Sequence, residues 1–337
     1  MREIREQPSA IRETVSAIDL STLEPLGKIR VKRVILMGMG SSYMAALYGQ
    51  YLFSQLANMH AHAYLSSDYL YYPPPVDNED FVIMISQSGE TVETVNACRL
   101  LVGKGFRNVL ALTNTEDSTL ARMASLRLVT KAGIEKASAT KTYLSALAAL
   151  NILARVIRSS SVSLAHDLVA NVRANLIRIS ALLEERMDGW RVHCENIANS
   201  FSKASTRFLL GRGFNLPTAM TGSLLFKEAS KIWVEACDAA EFRHEALDLV
   251  GECFAAVLLV SGPTRGLSVK LASKLRRLGG DVIVVLPEDI GMYEGWGEEM
   301  IVFPYTVLVQ IAAHTTALRR GVDPDLFTAM AKVTLEE

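Results

Sequence analysis

A parallel α/β architecture, built twice along the chain, is expected from three features. Short apolar runs alternate with longer helical patterns from residue 33 to the end. Several of those runs, Phe81–Ile85 among them, are apolar without interruption, as strands covered on both faces of a parallel sheet must be. The order of elements in the first half then recurs in the second. The length, 337 residues, suits two domains, and 50% hydrophobic against 21% charged residues supports a large core.

The elements follow in order. Arg33–Met37 is a β-rich run ending in Gly-Met-Gly, and a helix follows from Tyr43 to Leu56. Phe81–Ile85 is a strand, Val92–Val102 a helix, and Val109–Thr113 the next strand. A short strand at Leu126–Thr130 precedes a polar loop and an Ala/Leu-rich helix, Thr142–Ile157. The serine cluster at 159–164 is the linker candidate, since serines between periodic segments read as loop. It divides a first domain, 1–160, from linker helices, a second domain and a tail, 161–337. Ala165–Glu185 and Arg191–Lys203 read as the linker helices.

Beyond them Phe208–Leu210 runs into Gly-Arg-Gly-Phe as Val34–Met37 runs into Gly-Met-Gly-Ser. Phe254–Val260 runs into Ser261-Gly262-Pro263-Thr264 as Phe81–Ile85 runs into Ser86-Gln87-Ser88-Gly89-Glu90-Thr91. A helix ending in Leu278-Gly279-Gly280 and a strand at Val282–Leu286 complete the parallel. A repeat of this length is a domain duplication and is too long for a solenoid unit. Thr218–Ala236 is read as one helix.

Composition removes several classes. Lys and Arg number 35 against 36 Asp and Glu, a net charge of -1, so no basic field draws nucleic acid or an anionic membrane. Cys98, Cys194, Cys237 and Cys253 lie far apart without a CxxC pair, so neither zinc nor a disulfide framework is expected. The start is charged and lacks the apolar core of a signal peptide. No run of about 18 apolar residues is free of a charge or breaker. The expectation is a soluble, cytoplasmic protein. Gly38-x-Gly40 lacks the third glycine of a dinucleotide fingerprint, Tyr43 standing there, so no nicotinamide cofactor is expected.

Ser86-Gln87-Ser88-Gly89-Glu90-Thr91 is the strongest local signal. Three hydroxyls, an amide and a glycine occupy a turn between a buried strand and a helix N-terminus, where backbone N–H groups and the helix dipole favour an anion. Ser41-Ser42 sits at the corresponding turn of the preceding unit. Adjacent parallel strands end on one edge of the sheet, so the two clusters converge there. Either alone is ordinary helix capping; together they point to a phosphate. Ser261-Gly262-Pro263-Thr264 is poorer in donors, so one phosphate site per chain is expected.

Glu228 lies three, four or seven residues from Leu224, Leu225, Ile232 and Glu235, near the apolar stripe of the helix that is read there. Partial desolvation would favour proton transfer by such a carboxylate. Spacing alone favours the plainer reading, a pairing with Lys227 or Lys231 on a solvated face and a surface position for His244. His244 falls in a loop after that helix. His60, His62 and His314 are explained by packing, and the tail, 331–337, reads as free chain.

On these motifs the sequence resembles the sugar isomerase (SIS) domain family. Within it the likeness is to the isomerase half of glucosamine-6-phosphate synthase and to stand-alone glucosamine-6-phosphate deaminases. The likeness spans nearly the whole chain, from Glu3-Ile4-Arg5-Glu6-Gln7-Pro8 through Gly-x-Gly-Ser-Ser-Tyr at 38–43 and the Ser86–Thr91 turn. It continues through Ala132-Gly133, Thr140-Lys141, Gly211-Arg212-Gly213, Lys227-Glu228 and Glu241-Phe242-Arg243-His244 to Val322-Asp323 and Ala331-Lys332.

The resemblance implies two tandem SIS-type domains, each a parallel sheet flanked by helices. It implies Ser42, Ser86, Gln87, Ser88 and Thr91 on the 6-phosphate and Ser41 near the sugar. Glu228 would carry a proton between C1 and C2, and His244, from the neighbouring subunit, would assist ring opening. Lys332 would reach the open-chain carbonyl from an ordered tail. A homodimer with shared active sites, a sugar phosphate as ligand, and neither metal nor cofactor are implied.

Some positions depart from the family. Leu225 stands where the synthase has a lysine, Glu245-Ala246 replaces the Gly-Pro after the histidine, and Ala139 replaces a serine beside Ser138. No glutamine-hydrolysing domain precedes the first strand, so glutamine-dependent synthesis is not expected. Conversion of glucosamine 6-phosphate to fructose 6-phosphate and ammonia is the first reading. The alternatives are a fructosamine 6-phosphate deglycase, for which Leu225 would suit a bulkier amine, then a plain aldose–ketose isomerase, then a non-catalytic sugar-phosphate sensor.

Overall fold

The structure, a computed structural model, describes residues 1–28, 31–159, 162–293, 295–327 and 332–335. Its contacts divide the chain into two compact units. The first is Glu6–Ser180 with Ala329–Glu337, and the second is Met1–Arg5 with Ala181–Thr328.

The first unit holds five parallel strands: β1 Arg33–Gly38, β2 His60–Leu65, β3 Asp80–Ile85, β4 Val109–Thr113 and β5 Leu126–Val129. Their order is β2-β1-β3-β4-β5, with Val34 opposite both Ala61 and Phe81 and Val82 opposite Val109. Every residue of β3 is buried. On β1, Ile35 and Met37 join Val82, Met84, Val95, Cys98 and Leu101 in the core on one face. Leu36 turns to the other face, where Gly49 admits it: a Cβ on Gly49 would lie 2.4 Å from Leu36 Cδ2. Full burial of each such side chain contributes roughly 1.5–3 kcal/mol, which is why the runs are apolar on both parities.

The second unit repeats the plan with four strands: β6 Thr206–Gly211, β7 Glu235–Asp238, β8 Phe254–Leu259 and β9 Asp281–Val285. They are parallel in the order β7-β6-β8-β9, which matches β2-β1-β3-β4. Phe208, Phe242 and Phe254 pack ring against ring in one core of this sheet. The duplication reaches backbone detail. A Cβ on Gly38 would lie 2.6 Å from the Ser42 backbone, and one on Gly211 would lie 2.3 Å from the Asn215 carbonyl. In both units the strand end meets the first turn of the next helix so closely that only glycine fits. Glu298–Arg319 has the length and mean hydropathy of a membrane-crossing helix, but 83% of that window is buried inside the protein and it contains Pro304.

The helix read over Thr218–Ala236 and the packing of two histidines need correction. The helix expected over Thr218–Ala236 is Asn215–Ser230; Lys231 takes a left-handed conformation at φ 54° and ends it, and β7 begins at Glu235. Ile232 and Glu235 are therefore not on the helix of Glu228. His60 and His62 are exposed on β2, so packing does not explain them, whereas His314 is half-buried. Residues 160 and 161 of the serine cluster lie outside the described residues. The two contact units divide within the helix Val162–Arg186. The reason is local: Arg173 donates to the Ile18 carbonyl and Arg12 Nη1 to Ser180 Oγ at 3.4 Å, holding the first part of that helix to the first unit.

Candidate active site

The strand order of the first unit fixes where a ligand crevice can form. The chain leaves β1 toward β2 on one side and leaves β3 toward β4 on the other, so the sheet switches direction between β1 and β3. At such a point the following helices lie on opposite faces and a crevice opens at the carboxyl ends of the strands. A cleft is found there. Ser41 and Ser42 line it from the helix Ser41–Leu56, with Gln87, Thr113, Asn114 and Thr130 from the ends of β3, β4 and β5. Ile85, Leu112 and Ala146 form its apolar floor.

The Ser86–Thr91 turn is built rigidly. Ser86 is 2% exposed; its Oγ accepts the Gly89 N–H at 3.1 Å and lies 3.1 Å from Thr91 Oγ1. Ser88 Oγ accepts the Glu90 N–H at 3.1 Å. Asn114 N–H donates to the Gln87 carbonyl at 3.0 Å and Leu120 N–H to that of Gly89 at 3.0 Å, tying the turn to the end of β4 and the helix beyond. Gly89 has φ 67°, and a Cβ there would lie 2.1 Å from Ser118 Oγ. Ser86 therefore shapes the turn from within, while Gln87, Ser88 and Thr91 are partly exposed.

Asn114 was not singled out from the sequence, yet it ties the cleft together. Its Oδ1 accepts from Thr130 Oγ1 and from Ala132 N–H, both at 2.9 Å, and its Nδ2 donates to the Gly133 carbonyl at 2.9 Å. An Asn-Thr pair after a strand was the available signal, and it is common in ordinary turns. Glu135 has no distinguishing signal in the sequence either. It lies in the loop after β5, buried, and accepts from Thr140, Thr142 and Lys332.

Lys332 is thus placed in the first unit by its bonds to Glu135 and the Ala137 carbonyl, and Thr334 accepts from Val92 N–H at 3.1 Å. The described part of the tail is docked and is not the free chain that composition suggests; residues 331, 336 and 337 lie outside the described residues. Ser138 Oγ is buried without a hydrogen-bond partner among the described residues, beside Ala139.

The other site candidates belong to the second unit. Glu228 is half-buried in the last turn of its helix. Lys231 turns back on the Glu228 and Leu326 carbonyls, and Lys227 Nζ lies over the Trp233 ring, 4.4 Å from its centroid. His244 is exposed on a short helix, Phe242–Glu245, where a loop was expected. Glu245 Oε1 accepts the Cys237 thiol at 2.8 Å, and burial together with that carboxylate pushes the thiol pKa well up. Leu225 is 4% exposed. At the turn matching Ser86–Thr91, Ser261 Oγ donates to Glu298 Oε1 at 3.1 Å, and a Cβ on Gly262 would lie 1.8 Å from that oxygen. The protein's own carboxylate fills this second turn.

Comparison with known proteins agrees with this geometry. The SIS domain family model matches residues 29–156 and 200–288, covering both sheets. Glutamine–fructose-6-phosphate aminotransferase [isomerizing] of Pectobacterium atrosepticum is 33% identical over 99% of this chain, and that of Escherichia coli 31%. The chain spans 58% of the length of these relatives. The C-terminal domain of glucosamine-fructose-6-phosphate aminotransferase from Francisella tularensis superposes with a TM-score of 0.85 at 25% identity, covering 96% of both chains. Glucosamine-6-phosphate deaminase from Thermotoga maritima shares the fold, with a TM-score of 0.80 at 23% identity over 98% of each chain. A family model matched over both sheets, and relatives aligned along almost all of the chain, establish that this protein belongs to the SIS domain family.

Proposed function

We propose that this protein is a phosphosugar deaminase-isomerase that converts glucosamine 6-phosphate and water to fructose 6-phosphate and ammonia. One observation carries the reading. Ser41, Ser42 and Gln87 meet in one cleft at the switch point of the sheet, and the chain between two further lining residues, Thr130 and Thr142, holds Lys332. A neutral cradle of hydroxyls, an amide and helix N-termini suits a phosphate monoester, which would orient the reacting carbons from a distance.

In this reading Ser42, Ser86, Gln87, Ser88 and Thr91 form the phosphate end and Ser41 faces the sugar. His244, supplied by the second subunit of a homodimer, assists ring opening; its exposure on the monomer surface suits that role. Glu228 removes the C2 proton of the open-chain aldehyde to give an enolamine and returns it to C1. The product is the C2 imine, to which water adds with loss of ammonia, leaving the C2 ketone. Lys332 faces the carbonyl end. The chemistry needs one carboxylate poised for proton transfer, and Glu228 is half-buried as such a base requires. The fold is one on which a glucosamine-6-phosphate deaminase is built in Thermotoga maritima. The deglycase alternative rested on Leu225, and that side chain, 4% exposed, offers little surface to an amine substituent.

The test is release of ammonia and fructose 6-phosphate from glucosamine 6-phosphate, with Glu228→Gln as the control. Turnover abolished in the control supports the reading and assigns the base. A thermal shift with the sugar phosphate but no turnover would retain the phosphate site and reject the deaminase. Neither turnover nor shift would reject the substrate class.

A further inference from the structure

We propose that Glu135 docks the C-terminal segment, its carboxylate holding the Lys332 ammonium and thereby positioning that side chain for the reaction proposed above. Glu135 has no accessible side-chain surface, while Lys332 retains 27% of its own. Lys332 Nζ lies 3.2 Å from Glu135 Oε2 and also donates to the Ala137 carbonyl. The acceptor is also held by donors from its own neighbourhood in the chain. Oε1 accepts Thr140 N–H at 2.8 Å, Thr140 Oγ1 at 3.1 Å and Thr142 N–H at 3.3 Å. Thr142 Oγ1 donates to Oε2 at 2.5 Å.

These neutral donors fix the carboxylate but leave its charge uncompensated, and a buried charge without a partner is strongly unfavourable. The ammonium from the tail is the cation paired with it. Thr142 also lines the serine cleft, so the group that seats Lys332 is joined to the cleft wall by the two hydrogen bonds of that residue. A second bond secures the segment: Val92 N–H, at the start of the helix that follows the serine turn, donates to the Thr334 carbonyl at 3.1 Å. The lysine end of the tail is therefore held by charge and the next stretch by backbone. Glu135 is a positioning residue; it acts through Lys332.

Glu135→Gln separates this role from support of the loop. The amide oxygen still accepts from Thr140 and from Thr142 N–H, and the amide NH2 can donate to Thr142 Oγ1, so only the ion pair with Lys332 is lost, the Ala137 carbonyl still accepting from its ammonium. In the full chain E135Q should lower kcat on the order of 100-fold with KM for the sugar phosphate nearly unchanged. Combined with Lys332→Ala it should cost no more than K332A alone. An E135Q enzyme with wild-type kcat would overturn the docking role and leave the proposed function standing.

If the wild-type protein turns over no sugar phosphate, that function fails while docking remains measurable. Amide exchange at Val92, whose N–H donates to the Thr334 carbonyl, should then quicken in E135Q at an unchanged melting temperature. Exchange equal to wild type overturns the proposal. Should E135Q not fold, Lys332→Gln reads the same contact from the tail's side by the same exchange measurement, with the same opposing outcomes.

Discussion

Val92 donates its backbone N–H to the carbonyl of Thr334 at 3.1 Å, which joins the C-terminal segment to the first residue of the helix that begins at the serine turn. A helix N-terminus has N–H groups with no partner inside the helix, and one of them is used here by chain from the far end of the sequence.

Val92→Pro should remove that bond with little other disturbance. Proline is well tolerated at the first helical position, and Thr91 already has the extended backbone, φ -57° and ψ 121°, that a following proline requires. The global stability should change by no more than about 1 kcal/mol, while the C-terminal segment becomes more susceptible to limited proteolysis. Urea unfolding paired with limited proteolysis checks both halves, and a tail that remains as resistant to cleavage in V92P would show that this bond does not hold it.

Gly89→Ala should disable the serine turn. A side chain at φ 67° is strained, and its Cβ would overlap Ser118 Oγ at 2.1 Å. We expect a loss of at least about 1–3 kcal/mol in unfolding free energy and loss of any thermal shift by inorganic phosphate. Ser118→Gly in the same chain should recover the part due to overlap and not the part due to backbone conformation. Full recovery would mean that φ costs nothing there.

These two positions mark what the sequence could reveal. Phe81–Ile85, Val109–Thr113 and Arg191–Lys203 are legible nearly to the residue, because an apolar run or stripe bounded by turn residues has one stable use. The serine turns are legible as a pair because parallel strands end on one edge. The end of the helix at Lys231 is not, since a left-handed lysine gives no signal where a glycine would, and β7 was absorbed into the helix as a result. Glu135 was invisible for another reason. A single acid in a polar loop reads as solvated, and its burial depends on donors from Thr140, Thr142 and a lysine nearly two hundred residues away. The edge strand β2 is weak because His60 and His62 alternate with alanines and face out.

Arg33→Leu should be among the most damaging changes remote from the cleft. Arg33 grips Asp80 with Nε and Nη2 at 2.8 and 2.6 Å where β1 and β3 begin, and Asp80 is 2% exposed. Burial alone would raise the Asp80 pKa, but the Arg33 and Asp77 hydrogen bonds together with the Arg33 charge hold it below the usual value. Removing the arginine leaves a buried carboxylate unpaired, a loss of about 3–5 kcal/mol. Asp80→Asn should cost less, because Arg33 is 29% exposed and can be rehydrated. Urea midpoints of the two variants give the comparison, and equal losses would refute the asymmetry.

His314 predicts a pH dependence of stability that is independent of any catalysis. It is half-buried in the helix Glu298–Arg319, and burial lowers its pKa from 6.5, the N-terminal amine adding to the shift and Asp325 opposing it. The unfolded chain therefore takes up the proton at a higher pH than the folded protein does. Above the unfolded pKa both states are neutral and the full stability is present. As pH falls below it the unfolded state binds more protons and stability declines, until the folded pKa is also passed. Carboxylates such as Asp80, with a depressed pKa, lose their contribution only at lower pH. His314→Gln should consequently flatten the fall in melting temperature between about pH 7 and pH 5, without changing it above that window. An equally steep fall in the variant would assign the acid sensitivity to other groups.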